Sequence, residues 1–285
     1  MALPENSLVL ILSCPDTKGI VAEVSGFLAA RDASITEANH FNDALNDRFY
    51  MRTVFRDFGN CMPDAPTLRR EFMPIATKFG MEWALYETNV RPRLLIAVSK
   101  FGHCLFDLLH RWRTGDLAAE IAGVVSNHED MRSFVEWNGL PFHNLGGEKK
   151  AQEAALGQLI KKERIDLLVL ARYMQVLSPE LCAMLAGRCI NIHHSFLPGF
   201  KGANPYTQAY GRGVKIIGAT AHYVTPDLDE GPIIEQDVQR VSHAQTPADL
   251  VQIGRDIECR VLARAVSWHV ERRVVVADAK TIIFA

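Results

Sequence analysis

Two polar side chains interrupt an otherwise apolar stretch near the middle of the chain. In Arg188-Cys189-Ile190-Asn191-Ile192-His193-His194-Ser195, the apolar residues Cys189, Ile190 and Ile192 read as a buried strand. Side chains alternate faces along a strand, so Asn191 and His193 share one. An amide N–H can donate to an oxygen that gains negative charge, and an imidazole beside it can carry a proton. The strand gives way at Ser195 to a loop punctuated by Pro198, Gly199 and Gly202. Further on, residues 220–231 supply His222, Asp227 and Asp229 ahead of Gly231-Pro232. Taken singly these are weak signals. His222 reads as a satisfied core histidine, and the aspartates as a loop-capping pair.

The flanking sequence must supply a frame for these groups. From Arg93 onward, apolar strands alternate with helices: strands at Leu94 to Val98, Ile121 to Ser126 and Ile165 to Ala171, with helices at His103 to Arg113, Asp130 to Asn138 and Lys149 to Lys162. Ile165 to Ala171 is almost wholly apolar, as a strand covered on both faces should be. The strand of Asn191 comes next, then a helix at Pro205 to Gly211, strands at Lys215 to Val224 and Ile233 to Val238, and a long helix at Thr246 to Arg272. This alternation predicts a doubly wound, mostly parallel sheet with ligands at the carboxyl ends of its strands.

The first part of the chain is patterned differently. Strand, helix, strand, strand, helix, strand succeed one another up to Tyr86, which is the split βαβ or ferredoxin-like order. Asp16 or Thr17 is placed to cap the first helix, whose apolar residues are Ile20, Val21, Val24, Phe27 and Leu28. The boundaries read as a first domain over 1–86, a linker over 87–92 and a second domain over 93–285.

Composition narrows the partners. A net charge of −2 gives no bulk attraction to nucleic acid or an anionic membrane. The short basic pairs Arg69-Arg70, Lys161-Lys162 and Arg272-Arg273 each have a glutamate beside them and read as solvated surface. Six dispersed cysteines form no Cys-x-x-Cys, so neither a zinc knuckle nor a redox pair is suggested. With no signal pattern and no apolar run of spanning length, the expected setting is the cytoplasm.

Two resemblances add to this reading. Pro15-Asp16-Thr17-Lys18-Gly19-Ile20-Val21-Ala22, continuing to Val24-Ser25, resembles the opening of ACT domains, over about the first 85 residues. That resemblance implies a regulatory or assembly module, with an amino-acid effector and a homo-oligomer as its expected partners. In that family the loop containing Asp16 and Gly19 lets the backbone approach a ligand or partner domain; a strand-to-helix turn alone would also explain Gly19. Over residues 93–240, Asn191-x-His193-x-Ser195-x-Leu197-Pro198 with Lys201-Gly202, then His222 and Asp227-x-Asp229-x-Gly231, closely resemble the 10-formyltetrahydrofolate-using family. The fold implied is α/β: a ferredoxin-like ACT domain followed by a Rossmann-like, mostly parallel, doubly wound domain of formyltransferase type.

Roles follow from the second resemblance. Asn191 would donate to the formyl oxygen, His193 would be a second donor or proton carrier, and Asp229 would orient the nucleophile and relay protons. His222 would hold Asp229. Met174, Gln175, Val176 and Leu177 would line the pterin pocket, which Thr225 to Asp229, with Asp227 among them, would close from the other side. The family works without metal or cofactor; the folate is its substrate.

The acceptor separates the members. The ribonucleotide formyltransferase of this family cradles a phosphate in a glycine-rich loop after the first strand. Here that place reads Ser99-Lys100-Phe101-Gly102-His103-Cys104-Leu105, with one glycine and two bulky side chains. Nothing in the charge balance suits a tRNA acceptor. Water remains, so hydrolysis is the leading expectation. Ser99-Lys100, His103-Cys104-Leu105, Ser126-Asn127-His128 and Pro141-Phe142-His143 are similar to the hydrolytic members, as is an ACT module placed first; Phe101-Gly102 departs from their more polar pattern. The alternatives are transfer to an amine acceptor and a non-catalytic amino-acid sensor.

Overall fold

The computed structural model describes residues 6–59, 61–199 and 205–285. Lys201 and Gly202 of the sequence motif lie outside the described residues. The chain divides into two units, Met1–Arg91 with Phe284–Ala285, and Pro92–Ile283.

In the first unit the elements are β1 (Ser7–Pro15), α1 (Ile20–Ala29), β2 (Ala33–Asp43), β3 (Arg48–Asp57), α2 (Ala65–Phe79) and β4 (Glu82–Glu87). The strands form an antiparallel sheet in the order β2-β3-β1-β4. Leu8, Leu10 and Leu12 of β1 and Phe49, Met51 and Phe55 of β3 point to one face by strand alternation, and bury Val24, Leu28, Leu68 and Phe72 of the two helices against them. One expectation is corrected here. Neither Asp16 nor Thr17 caps α1: the N-cap is Gly19 at φ 95°, with no side-chain cap. β1 runs on to Pro15, so Asp16 lies too far from the first helical turn, and it accepts instead from Asn42 Nδ2. A Cβ at Gly19 would meet nothing within 4 Å. Glycine is needed there for the left-handed turn and not for space.

The second unit contains β5 (Arg93–Val98), α3 (His103–Thr114), β6 (Glu120–Ser126), α4 (Arg132–Trp137), β7 (Phe142–Asn144), α5 (Lys149–Lys162), β8 (Leu167–Leu170), α6 (Pro179–Met184), β9 (Cys189–His193), α7 (Pro205–Arg212), β10 (Ile216–Tyr223), β11 (Ile233–Arg240), α8 (Pro247–Val270) and the hairpin β12 (Val274–Ala277)–β13 (Lys280–Ile283). The sheet order is β11-β10-β9-β8-β5-β6-β7. Strands β7, β6, β5, β8 and β9 are parallel, while β10 is antiparallel to both of its neighbours.

Successive side chains of the central strands feed two cores. Leu94, Ile96 and Val98 pack with α3, α4, α7 and α8, whereas Leu95, Ala97, Leu168 and Leu170 pack with α5 and α6. A sheet covered on both faces explains why β8 is apolar at every position. The chain winds outward one way through β6 and β7 and the other way through β8 and β9. Its direction reverses between β5 and β8, and crevices form at the carboxyl ends of strands beside such a reversal.

Candidate active site

The residues singled out above converge beyond the carboxyl ends of β8 and β9. A cavity of about 230 Å³ is lined by Arg172 to Leu177, Asn191 to His194, His222 and Val224 to Asp229. It thus brings together Asn191, His193, His222 and Asp229 with Met174, Gln175, Val176, Leu177, Thr225 and Asp227. Asp16 and Gly19 belong to the other unit. Met174, Val176 and Leu228 keep half or more of their surface exposed around the cavity, as apolar walls waiting for a flat ligand would.

Strand pairing places the polar groups. Asn191 of β9 stands opposite His222 of β10, and His193 opposite Thr220. Thr220 is fully buried and works as a hub: its hydroxyl donates to Ser195 O and accepts from Leu197 N and Gln236 Nε2, each at 3.0 Å. These bonds fix the turn that leaves His193. The loop after β10 then folds back so that Asp229, in a left-handed conformation at φ 58°, returns to the strand it left.

Each tautomer follows from its neighbours. His222 Nδ1 lies 2.9 Å from Tyr223 O, so it carries the proton and donates. Nε2 is then an acceptor, and Asn191 Nδ2 reaches it at 3.2 Å. Asp229 Oδ1 is farther from Nε2, at 3.7 Å. The first partner of His222 is therefore Asn191, whereas the resemblance had assigned it to Asp229. One amide N–H of Asn191 is occupied by this bond, and the other meets no acceptor among the described residues. His193 Nδ1 faces Asp229 Oδ2 at 3.3 Å, while its Nε2 is buried with no hydrogen-bond partner among the described residues. The contacts to His193 and then His222 outweigh burial and hold the Asp229 carboxyl well below the usual range, so it is an anion.

Beside this group lies a buried ionic cluster that the sequence reading missed. Glu258, on the buried face of α8 and 1% exposed, accepts from Tyr206 Oη at 2.7 Å and meets His103 Nε2 at 2.8 Å. Arg172 Nε stands 3.4 Å from it. Burial alone would raise the Glu258 pKa, but His103 and the Arg172 charge overcome it and keep the carboxylate ionised. The signal was present as a lone glutamate between Ile257 and Val261 on an apolar helical stripe, but its partners are 52 to 155 residues away in sequence.

Tyr206 reaches Glu258 by lying across Gly254, where an added Cβ would come within 2.1 Å of its ring. Gly254→Ala, worth about 1 kcal/mol of gain in an ordinary helix interior, is expected to destabilise by about 1–3 kcal/mol instead. Chemical denaturation reads the sign.

Among the described residues, His103, Cys104 and Glu258 form a group whose ligand atoms lie within 4.8 Å of one another. The set suits a cation poorly. Arg172 already stands against Glu258, and the contact with Cys259, with burial, pushes the Cys104 thiol well up and keeps it protonated.

Two half-buried imidazoles give the fold a pH dependence. Burial, reinforced by Arg172 and His193, lowers the His194 pKa to about 4. Burial and then Arg272 lower that of His269 to about 3, and His269 Nδ1 accepts from Tyr223 Oη at 2.7 Å. Both folded values lie below the unfolded one near 6.5, so the unfolded chain takes up protons first as pH falls. The linked stability is whole above about pH 6.5 and declines below it. The thermal midpoint should fall between about pH 7 and 5, and His269→Gln should flatten that fall; an unaltered slope would place its origin elsewhere.

Residues 92–266 match the formyl transferase family. A formyltetrahydrofolate deformylase from Corynebacterium sp. (strain P-1) is 50% identical over 279 residues, covering 96% of this chain and 97% of its own. That of Bacillus subtilis (strain 168) is 49% identical, covering 96% of this chain and 93% of its own. The crystal structure of a formyltetrahydrofolate deformylase from Pseudomonas syringae pv. tomato superposes with a TM-score of 0.95 at 47% identity, covering 99% of this chain and 95% of that one.

Proposed function

The chain belongs to the formyl transferase family and, within it, to the formyltetrahydrofolate deformylases, and from this premise we infer that it hydrolyses 10-formyltetrahydrofolate to tetrahydrofolate and formate. The observation that carries hydrolysis over transfer is the placement of Glu258. The start of a helix attracts anions, and a phosphate-bearing acceptor would exploit the N-terminus of α3. Here His103, the first residue of α3, is bonded to a buried carboxylate of the protein itself. The start of α3 is thus already matched by a carboxylate of the protein, and water needs no such anchor. Gly102 does not open the loop either, because its Cα packs so closely that a Cβ would meet Met131 and Phe106 within 3 Å.

The proposed roles start from the proton positions. A water at His193 Nε2 gives up a proton to that nitrogen as its oxygen bonds to the formyl carbon. Asp229, ionised, stabilises the imidazolium through Nδ1–H and keeps the tautomer correct. The formyl oxygen takes the charge and accepts from the free N–H of Asn191, whose other N–H is held by His222. Breaking the C–N10 bond returns the proton from His193 to N10 and leaves formate, whose acid proton passes to solvent. Met174 to Leu177 and Thr225 to Asp227 flank the folate ring.

Asn191→Ala is expected to lower kcat by about 10²- to 10³-fold, the usual worth of one oxyanion donor, with KM changed far less. Steady-state kinetics separates the two. The function itself is tested by incubating the protein with 10-formyltetrahydrofolate and no other acceptor. Formate and tetrahydrofolate should appear together, and a requirement for an added amine would replace hydrolysis by transfer.

The remaining assignments are proposals of the same reading. The formate feeds purine synthesis in the cytoplasm and the reaction balances the folate pool. The first unit is an ACT-type module that takes an amino-acid effector at the loop of Asp16 and Gly19, and it pairs with a second copy. What supports pairing is β2, an eleven-residue strand at the edge of its sheet. In addition, no described helix is long and apolar enough to cross a membrane.

A further inference from the structure

Arg172 is placed at unusual conformational cost. It has a φ of 63°, a left-handed conformation that an unbranched but long side chain rarely adopts. Its segment is pinned on both sides. Ala171 N donates to Ala97 O at 2.8 Å, Ser99 N to Arg172 O at 3.2 Å, and Met174 N to Ser99 Oγ at 3.0 Å. The result is a guanidinium whose side chain is nine-tenths buried and lines the same cavity as Asn191 and His193.

Two buried side-chain nitrogens in the second unit have no hydrogen-bond partner among the described residues, Arg172 Nε and His193 Nε2, and both belong to residues lining that cavity. Glu258 balances the Arg172 charge from 3.4 Å without making a hydrogen bond, while its own oxygens are held by Tyr206 and His103. The guanidinium is thus anchored but left with donor capacity, in a site whose product is a small planar carboxylate. Guanidinium and carboxylate match as a fork of paired N–H···O bonds.

We propose that Arg172 is the anion-binding residue of this site, which takes the carboxylate of formate as it forms and holds it until release. The proposal rests on the hydrolytic reading. It explains why a cation is kept in the wall of this cavity although the folded chain neutralises it with a buried glutamate. Negative charge grows on the two oxygens of the leaving formate only after water has attacked. A guanidinium already paired at arm's length favours that late charge over the neutral substrate.

The test is product inhibition in the intact protein. Formate should inhibit the wild type, with nitrate acting as an isosteric substitute. Arg172→Gln should raise the formate inhibition constant about tenfold or more, the worth of a charge-assisted pair, and lower kcat while KM for 10-formyltetrahydrofolate moves by less than about threefold. Arg172→Lys, which keeps the charge but not the fork, should fall between. Glu258→Gln removes the balancing charge and should lower the formate constant, a shift opposite to what loosened packing would give. The proposal is overturned if formate does not inhibit the wild type, if inhibition is the same in both Arg172 variants, or if KM rises while kcat holds. Should Arg172→Gln fail to fold, the Lys and Glu258 variants decide alone. A wild type that releases no formate without an acceptor sinks the hydrolytic reading, whereas formate release with unchanged inhibition sinks only the role of Arg172.

Discussion

Asp229→Asn is expected to reduce formate release by about 10³- to 10⁴-fold, the scale seen when a carboxylate that orients a catalytic imidazole becomes an amide. With Asp229 ionised, His193 carries its hydrogen on Nδ1, 3.3 Å from Oδ2, and its Nε2 lone pair is free in the cavity. An amide at the same position presents N–H as readily as C=O, so the imidazole can reverse its tautomer and lose the base. The charge that stabilises the imidazolium is lost as well. KM should change little, since the pocket walls formed by Met174 to Leu177 are untouched. The fold should survive, because the amide matches the carboxylate in size and can still pair with His193. Because its pKa is lowered in the fold, Asp229 contributes stability above the ordinary carboxylate range that is lost as pH falls; the variant should lack that part of the acid transition. Initial rates of formate release, with circular dichroism as the control for folding, check the claim. Turnover within tenfold of wild type would reduce Asp229 to a loop cap.

How far the sequence reveals this arrangement depends on the range of the interactions. Asn191 and His193 are legible because strand alternation is local: two residues apart means one face, whatever the fold. The parallel core is legible for the same reason, as Leu167 to Leu170 is apolar at each step. The antiparallel edge formed by β10 and β11 is not, because alternation carries no information on strand direction. The short elements β7, α6 and the β12–β13 hairpin also escaped notice, being three to six residues long and without a full period of any pattern. His222 shows the limit most clearly. Its type and place in a strand were readable, but its first partner depends on the register of β9 against β10, which pairs it with Asn191. Arg172 and Glu258 lie 86 residues apart, with only the fold to join them. The resemblance supplied roles where motifs matched and was silent on this pair.

Glu258→Ala is expected to destabilise the second unit by about 3–5 kcal/mol, the cost of removing one partner from a buried charged group. Three groups lose their counterpart together. Tyr206 Oη loses the acceptor of its 2.7 Å bond, His103 loses its contact between α3 and α8, and Arg172, its side chain nine-tenths buried, becomes an uncompensated charge. An apolar replacement would not repair this, since the cluster was built from polar partners that remain. For a unit of this size about 2–4 °C of thermal midpoint follows each kcal/mol, so a fall of roughly 6–20 °C is expected by calorimetry. Formate added to the variant should recover part of that loss if it enters the site, because a ligand bound only by the folded state raises its stability. A variant as stable as wild type would mean that water or rotation of Arg172 satisfies the cluster, and that the carboxylate at the start of α3 is held there for selecting the acceptor rather than for the fold.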